Sequence, residues 1–241
     1  SLIKVKKKYM PIVESDSRYF IISGGRGSGK SFSVNALLVM LTYEQGHTIL
    51  FTRYTLTSAY ISIIPEFIDK LEQFGSIADF HITKDEILNK KTGSKIIFRG
   101  IKTSSGDQTA NLKSLQGITT WVVDEAEELV DEHKFDTIDL SVRQQGKPNR
   151  IILILNPTTK EHFIYKRFFE DRGVQEGSNI TKENTTYIHT TYKDNIDNLS
   201  KSYIDQIEQM KIRRPDKYKQ QMLGSWLNKA EGVIFNNWSV G

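Results

Sequence analysis

The chain has 241 residues, of which 38% are hydrophobic and 26% charged, a composition typical of a folded globular protein. Its 33 Lys and Arg against 29 Asp and Glu give a net charge of 33 − 29 = +4, which permits a polyanionic partner without indicating one. The absence of cysteine excludes disulfides, thiolate catalysis and cysteine-ligated zinc. No apolar run approaches the roughly 20 residues of a membrane helix, and the basic N-terminus does not resemble a signal peptide.

The first third of the chain alternates strand and helix signals. A β-rich apolar run at 19–23 ends in a glycine cluster and predicts a buried strand. Apolar residues at helical spacing after Lys30 predict a helix that starts near Gly29. A second strand is predicted at 48–52, followed by a helix at 58–74 in which Pro65 is expected to cause a kink or break.

The same alternation continues to the C-terminal part. The predicted elements are a β-hairpin of residues 86–89 and 95–99, a strand at 121–123, a helix at 131–143, strands at 150–155 and 187–191, and short amphipathic helices at 199–210 and 215–223. Apolar strands separated by helices indicate a mostly parallel sheet sandwiched by helices. We therefore predict an α/β core over residues 1–194 and a small helical lid or linker subdomain over 195–241.

A glycine-rich motif follows the first predicted strand. It matches the phosphate-binding pattern G-x-x-x-x-G-K-[ST] in full, as Gly24, Gly25, Arg26, Gly27, Ser28, Gly29, Lys30 and Ser31. Glycines let successive backbone N–H groups turn towards phosphate oxygens, and the following helix N-terminus favours the same anion. We expect Lys30 to reach the β- and γ-phosphates and Ser31 to ligate Mg²⁺. A chance match is disfavoured because a strand precedes the motif and a helix follows it.

Two carboxylates end the predicted strand near residue 123, which is expected to neighbour the first strand. Asp124 is expected to hold Mg²⁺ through water, and Glu125 to orient and deprotonate the attacking water. Both motifs fall at carboxyl ends of strands, where ligands collect in open α/β sheets. The alternative is that the acidic run 124–128 is simply a charged helix start.

Several further segments accompany these two motifs. They are Val122-Val123-Asp124-Glu125-Ala126, Leu155-Asn156-Pro157, residues 187–195, and Gly224-Ser225-Trp226 with residues 231–235. Together with the P-loop, in this order, they resemble the N-terminal ATPase domain of tailed-bacteriophage terminase large subunits. The resemblance spans nearly the whole chain and implies a P-loop NTPase fold of the ASCE, RecA-like kind that binds ATP and Mg²⁺.

The resemblance also implies a motor that hydrolyses ATP to move viral double-stranded DNA into the procapsid. The implied partners are the DNA, the portal protein, the small terminase subunit and further copies of the chain. These copies would form a pentameric ring on the docked procapsid, whereas the isolated chain would be a monomer. The expected compartment is the cytoplasm of the infected bacterium, outside the mature virion. Because the chain stops near Trp238, where the family's nuclease domain would begin, we expect no nuclease activity.

The resemblance assigns roles to three further residues. Asn156 belongs to a coupling motif that senses the γ-phosphate, although Asn-Pro is also ordinary turn chemistry. Arg26 would touch the γ-phosphate or relay hydrolysis to the lid, or else be solvated. On the adenine side, Tyr9 or Pro11 would pack on the base and Arg18 would assist, or else Tyr9 would belong to the core.

A finger residue contributed by a neighbouring subunit is also expected in a ring motor of this kind. The candidates are Lys113, Arg143 and Arg99, and each could equally be a surface charge. Two other functions remain open at this stage. A helicase or other RecA-like ATPase would unwind a forked duplex, and a nucleotide-gated assembly module would associate with ATP without releasing phosphate.

Overall fold

The computed structural model describes residues 6–102 and 116–228. A single sheet of nine strands runs through this part of the chain, in the order β3-β4-β5-β2-β6-β7-β1-β9-β8. The strands are β1 (Tyr19–Gly24), β2 (Thr48–Arg53), β3 (Phe80–Ile82), β4 (Glu86–Asn89), β5 (Lys95–Gly100), β6 (Thr120–Asp124), β7 (Arg150–Leu155), β8 (Thr181–Lys182) and β9 (Thr185–Thr190). Six neighbouring strands of this sheet are parallel, namely β5, β2, β6, β7, β1 and β9. The antiparallel pairs lie at the two edges, β3 and β4 with β5 at one and β8 with β9 at the other.

Helices surround the sheet. They are α1 (Pro11–Glu14), α2 (Lys30–Leu41), α3 (Ala59–Ser62), α4 (Ile64–Gln73), α5 (Glu132–Asp139), α6 (Phe163–Tyr165, continued by a π-helical turn, Lys166–Glu170), α7 (Lys201–Arg213) and α8 (Pro215–Gln221). Single 3-10 turns connect several of them. None of the helices described has the length and apolar character needed to cross a bilayer.

Two hydrophobic clusters cover the faces of the sheet. Alternate residues of β1 illustrate the division, because Phe20 and Ile22 belong to one cluster and Ile21 to the other. The first cluster contains residues of α1, α2, α3 and α4, and the second contains residues of α5 and α6. A parallel sheet covered on both faces requires strands that are apolar along their length. The predicted α/β fold is therefore confirmed.

Parallel pairing brings the carboxyl ends of β1, β2, β6 and β7 to one rim of the sheet. The strand that ends in Asp124 is not the immediate neighbour of β1, because β7 lies between β6 and β1. Our expectation of adjacent strands was wrong in this respect. The rim nevertheless collects the chain segments after Gly24, Arg53, Asp124 and Leu155.

Most predicted elements agree with the observed ones, and the expected break at Pro65 is confirmed. Pro65 breaks the predicted helix at 58–74, and α4 begins beside it because proline fits the first helical turn. The helix expected at 131–143 ends at Asp139, and Asp131 caps its start by accepting N–H groups of His133 and Lys134. Helix α1, strands β3 and β8, and the helical segment at 163–170 were not predicted.

The C-terminal helices form a small cluster of their own beside the sheet. Tyr192, Ile207, Tyr218 and Met222 are buried together there. The division into a core at 1–194 and a lid or linker at 195–241 stays a prediction, and the name lid is kept for the described residues after 194. The residues after 228, including those of the resemblance at 231–235 and Trp238, lie outside the described part.

The lid is bonded directly to the glycine-rich loop. The Arg26 N–H donates to the Gln221 carbonyl oxygen at 2.8 Å, and the Asn195 side-chain amide donates to the Gly27 carbonyl oxygen at 3.0 Å. The Tyr203 ring lies so near Gly27 that an added Cβ would be 3.0 Å from it. A displacement of the loop would therefore move or break its hydrogen bonds to the lid.

Candidate nucleotide-binding site

The loop between β1 and α2 has the backbone shape of a phosphate cradle. Gly27 and Gly29 both have φ of +75°, a left-handed conformation that side chains other than glycine rarely adopt. Helix α2 begins at Lys30, so its N-terminus opens into the loop. The Ser28 hydroxyl is buried and has no hydrogen-bond partner among the described residues. A buried polar atom without a partner at this position fits a loop that receives an anion.

Close backbone contacts explain the first two glycines of the motif. A Cβ on Gly24 would be 2.1 Å from the Thr190 carbonyl oxygen, and one on Gly25 would be 2.0 Å from the Met222 carbonyl oxygen. The loop is thus enclosed between β9 and the lid. These glycines are required by packing as well as by the turn.

Lys30 lies at the centre of the site. It is buried, and its Nζ donates to the Gly25 carbonyl oxygen at 3.3 Å and to the Asn156 side-chain oxygen. Burial lowers the pKa of Lys30 to about 8, and the nearby Glu127 and Asp124 carboxylates oppose this shift. A lysine this poorly solvated gains strongly from an anionic ligand.

The glycine-rich loop and the acid pair meet at the rim. The Ser31 hydroxyl donates to Asp124 Oδ1 at 3.3 Å, across 93 residues of sequence. Asp124 is buried, and its second oxygen, Oδ2, accepts the Arg53 Nε and Nη2 groups, each at 2.9 Å. Arg53 therefore neutralises the carboxylate and leaves Oδ1 facing Ser31. Nothing in the sequence pattern pointed to Arg53; only its place at the end of β2 could have suggested it.

Glu125 occupies an unusual backbone conformation. Its φ of +53° and ψ of +46° are left-handed, which costs roughly 1–2 kcal/mol for a residue with a side chain. The conformation turns Glu125 out of the strand, so that it is exposed while Asp124 is buried. Partial desolvation raises the pKa of Glu125, and the Arg53 guanidinium opposes that rise. Strain at one residue beside a ligand site is a common mark of function.

Glu127 is a further carboxylate that sequence analysis did not single out. Its Oε1 accepts the Asn156 backbone N–H at 3.2 Å, and its charge acts on Lys30. Burial raises the pKa of Glu127 to about 7, and the Asn156 N–H and Lys30 limit the rise. Asn156 thus contacts Lys30 through its side chain and Glu127 through its backbone, linking the end of β7 to the phosphate cradle.

The residues present fit a magnesium–triphosphate. Ser31 and Asp124 offer hard oxygen donors in contact with one another, as Mg²⁺ prefers. The unpartnered Ser28 hydroxyl and the two left-handed glycines fit the phosphates. The arrangement can therefore hold a metal–nucleotide with Glu125 on the solvent side.

Arg26, Tyr9 and Arg18, to which the resemblance assigned nucleotide contacts, lie in three different environments. The Arg26 side chain is exposed at the outer turn of the loop, which leaves its proposed contact with nucleotide a prediction. Tyr9 is fully buried in the hydrophobic core, and its hydroxyl donates to Thr190 at 2.8 Å. This placement agrees with the core alternative for Tyr9, and a role on the adenine side stays a prediction. Arg18 precedes β1 and binds Asp139. It is separated from the glycine-rich loop by the length of β1, roughly 17 Å.

The finger candidates are dispersed. Arg99 lies at the same rim, near the end of β5, and pairs with Asp85 at 3.2 Å. Arg143 is exposed in the segment that precedes β7, at the opposite rim. Lys113 lies outside the described residues. The choice among the three stays a prediction.

A family model described as phage terminase large subunit matches residues 16–225. The chain belongs to the phage terminase large subunit family. The PBSX phage terminase large subunit of Bacillus subtilis is 26% identical over 215 residues, covering 85% of this chain and 48% of that protein.

Solved terminase structures share the fold. The large terminase of a thermophilic bacteriophage aligns with a TM-score of 0.71 at 16% identity, covering 93% of this chain and 54% of that one. The large terminase ATPase domain of Thermus phage P74-26 aligns with a TM-score of 0.66 at 15% identity, covering 93% of this chain and 94% of the domain. The chain thus spans about half the length of the terminase large subunits it matches and nearly all of an ATPase domain.

Glu127 predicts a pH dependence of stability. Its pKa is about 7 in the fold against an ordinary 4.5, so the folded state binds the proton more tightly than the unfolded state. The stabilisation is fully present below pH 4.5 and is lost as the pH rises through 7. Glu127→Gln should therefore stabilise the fold more at pH 8 than at pH 5, by about 2 kcal/mol. Thermal denaturation at the two pH values measures this difference.

The matched control is Glu161→Gln, which removes a carboxyl that is exposed. This control should leave the difference between the two pH values as in the wild type. Equal effects of Glu127→Gln at both pH values would contradict the assignment of a desolvated, proton-binding carboxyl.

Proposed function

We propose that this chain hydrolyses ATP with Mg²⁺ and uses the energy to drive viral double-stranded DNA into a procapsid. The observation that carries the proposal is the contact between Ser31 and Asp124, which joins the glycine-rich loop and the acid pair at one rim. Membership of the terminase large subunit family supports DNA as the substrate that is moved.

Each residue of the site has a distinct task in this proposal. The backbone of residues 24–29 cradles the phosphates, and Lys30 neutralises charge that develops on the γ-phosphate. Ser31 and Asp124 would hold the metal ion, which supplies charge stabilisation at the phosphates when bound. Arg53 pairs with Oδ2 of Asp124 and leaves its Oδ1 directed towards Ser31.

Glu125 and Asn156 complete the mechanism. Glu125, on the exposed side of the acid pair, orients a water for in-line attack and takes its proton. Asn156 contacts Lys30 and lies at the start of the loop that follows β7, so a change at the γ-phosphate reaches that loop through one side chain. Arg26, bonded through its N–H to the lid, is the proposed relay to the lid helices.

The partners follow from the family. We propose that the chain acts with viral duplex DNA, a portal protein, a small terminase subunit and other copies of itself. The copies form a pentameric ring on the procapsid, and the free chain is monomeric. It acts in the cytoplasm of the infected bacterium and is not part of the virion. The proposal for this chain is limited to ATP hydrolysis and DNA movement and includes no nuclease activity.

Phosphate release tests the proposal. The purified chain should release phosphate from ATP slowly, because no neighbouring subunit supplies a finger, and chelation of Mg²⁺ should stop the release. Asp124→Asn should lose the Mg²⁺-dependent rate. ATP-dependent association without phosphate release would favour an assembly module, and unwinding of a forked duplex would favour a helicase.

A further inference from the structure

A basic groove lies between the lid and the loop that follows β7. It encloses about 950 Å³. Its basic side chains are Lys160, Arg213, Arg214, Lys217 and Lys219. Glu176 and Asp216 also line it, so the charge of the lining is 5 − 2 = +3.

The cations of this groove are not neutralised by carboxylates of the described residues. None of the five forms an ion pair with a carboxylate in the described residues, although Glu176 and Asp216 line the same groove. Lys160 is half-buried and lies over the Tyr165 ring at 5.6 Å, while the other four side chains are exposed. Unpaired cations gathered in one groove repel each other, a cost that a polyanion would remove.

One wall of the groove is connected to the phosphate cradle through α8. Lys217 and Lys219 belong to this helix, and its last residue, Gln221, accepts the Arg26 N–H at 2.8 Å. The cations therefore lie on the same short rigid element that contacts the glycine-rich loop.

The opposite wall is connected to the cradle through Asn156. The segment at 158–160 is hydrogen-bonded to Leu227, with Leu227 N–H donating to Thr158 at 2.7 Å and Lys160 N–H to Leu227 at 2.8 Å. Four residues earlier than Lys160, Asn156 accepts from Lys30. One wall is thus bonded to the glycine-rich loop through Gln221 and Arg26, and the other is connected to Lys30 through Asn156. A shift of either wall would change the distance between the cations on the two walls.

We propose that this groove binds the phosphate backbone of duplex DNA, with an affinity that depends on nucleotide in the glycine-rich loop. The inference rests on the proposed function and assigns it a DNA-contacting surface. Exposed cations spread over two walls suit a repeating polyanion, whereas a single small phosphate is usually held by convergent, buried donors. Contacts of this kind position a duplex without reading its sequence.

Anisotropy titration of a labelled duplex over a series of salt concentrations tests the groove. The variant is Lys217→Gln with Lys219→Gln, which removes two exposed charges from one wall. Affinity should fall for every duplex sequence. The slope of the logarithm of the association constant against the logarithm of salt concentration should decrease in magnitude by about 2, roughly one per lysine. The matched control is Lys84→Gln with Lys90→Gln, two exposed lysines at the turns of the opposite sheet edge. Unchanged melting temperatures verify that both variants are folded.

The outcomes separate this inference from the proposed function. A wild-type chain that binds no duplex at any salt concentration contradicts the proposed DNA function itself. A wild-type chain that binds, with a salt slope that the Lys217→Gln, Lys219→Gln variant leaves unchanged, overturns the groove assignment alone. A slope reduced only by the control pair would place the DNA at the β3–β4 edge instead.

A second titration, with and without a non-hydrolysable ATP analogue and Mg²⁺, tests the dependence on nucleotide. The wild-type affinity for duplex should change by at least about 5-fold, the lower end of typical coupling between sites. The Lys217→Gln, Lys219→Gln variant should show a smaller change. Equal wild-type affinities in the two conditions overturn the coupling of the groove to the nucleotide site.

Discussion

Glu125→Gln should bind ATP with nearly wild-type affinity and lose hydrolysis, by roughly 10²–10⁴-fold in kcat. Glutamine has nearly the same shape, so the left-handed backbone at this position and the buried Asp124 beside it are retained. What disappears is the ability to accept a proton from water. Because the Glu125 side chain accepts no hydrogen bond from the helical turn that follows it, the loss can be attributed to chemistry rather than to a broken cap.

Single-turnover phosphate release and equilibrium binding of ATP measure the two halves of this prediction separately. The control is Glu128→Gln, an exposed carboxyl three residues further along. It should leave both quantities at the wild-type level. Turnover of Glu125→Gln at the wild-type rate would show that another group activates the water, and Glu127, which lies in the same site, would be examined next.

Lys30→Ala should lose nucleotide affinity, by roughly 30-fold to more than 1,000-fold, the effect of 2–5 kcal/mol for removing one partner of a buried charge interaction. Lys30 is buried between the Gly25 carbonyl oxygen and the Asn156 side chain, and burial lowers its pKa to about 8. Because the Lys30 ammonium is poorly solvated, a bound phosphate stabilises its charge strongly. The same truncation leaves Glu127 without its neighbouring positive charge.

Isothermal titration with a non-hydrolysable ATP analogue and Mg²⁺ measures this loss. Lys201→Ala, at the exposed start of α7, is the control and should bind as the wild type does. A melting temperature recorded for both variants separates a loss of binding from a loss of fold. Retained affinity in a folded Lys30→Ala protein would mean that the nucleotide lies elsewhere.

The two motifs could be predicted from sequence because their chemistry is local. The phosphate cradle uses eight consecutive residues whose conformations depend on glycine, and the acid pair is two neighbours at a strand end. The apolar runs of β1, β2, β6 and β7 are buried on both faces, so each predicts a strand without reference to the others. Family membership followed from the order of these same segments and is confirmed by the family match.

Pairs that are distant in sequence escaped prediction for a physical reason. Arg53 binds Asp124 across 71 residues, and the Asn156 N–H binds Glu127 across 29. Nothing in the neighbourhood of Arg53 or Glu127 along the chain distinguishes them from surface charges. Tyr9 shows the same limit, since its neighbours along the chain left both a base contact and core packing open, and the fold enclosed its ring in the core.

The segments that carry phosphate and carboxylate chemistry can be assigned from local sequence, because backbone conformation and apolar burial are decided mainly within a few residues. Which side chains from separate segments meet at the rim is a property of the folded chain. That choice depends on strand order, with β7 inserted between β6 and β1, and on the depth of burial that shifts the Lys30 and Glu127 pKa values. Both arise from long-range packing, which no local stretch of the chain encodes alone.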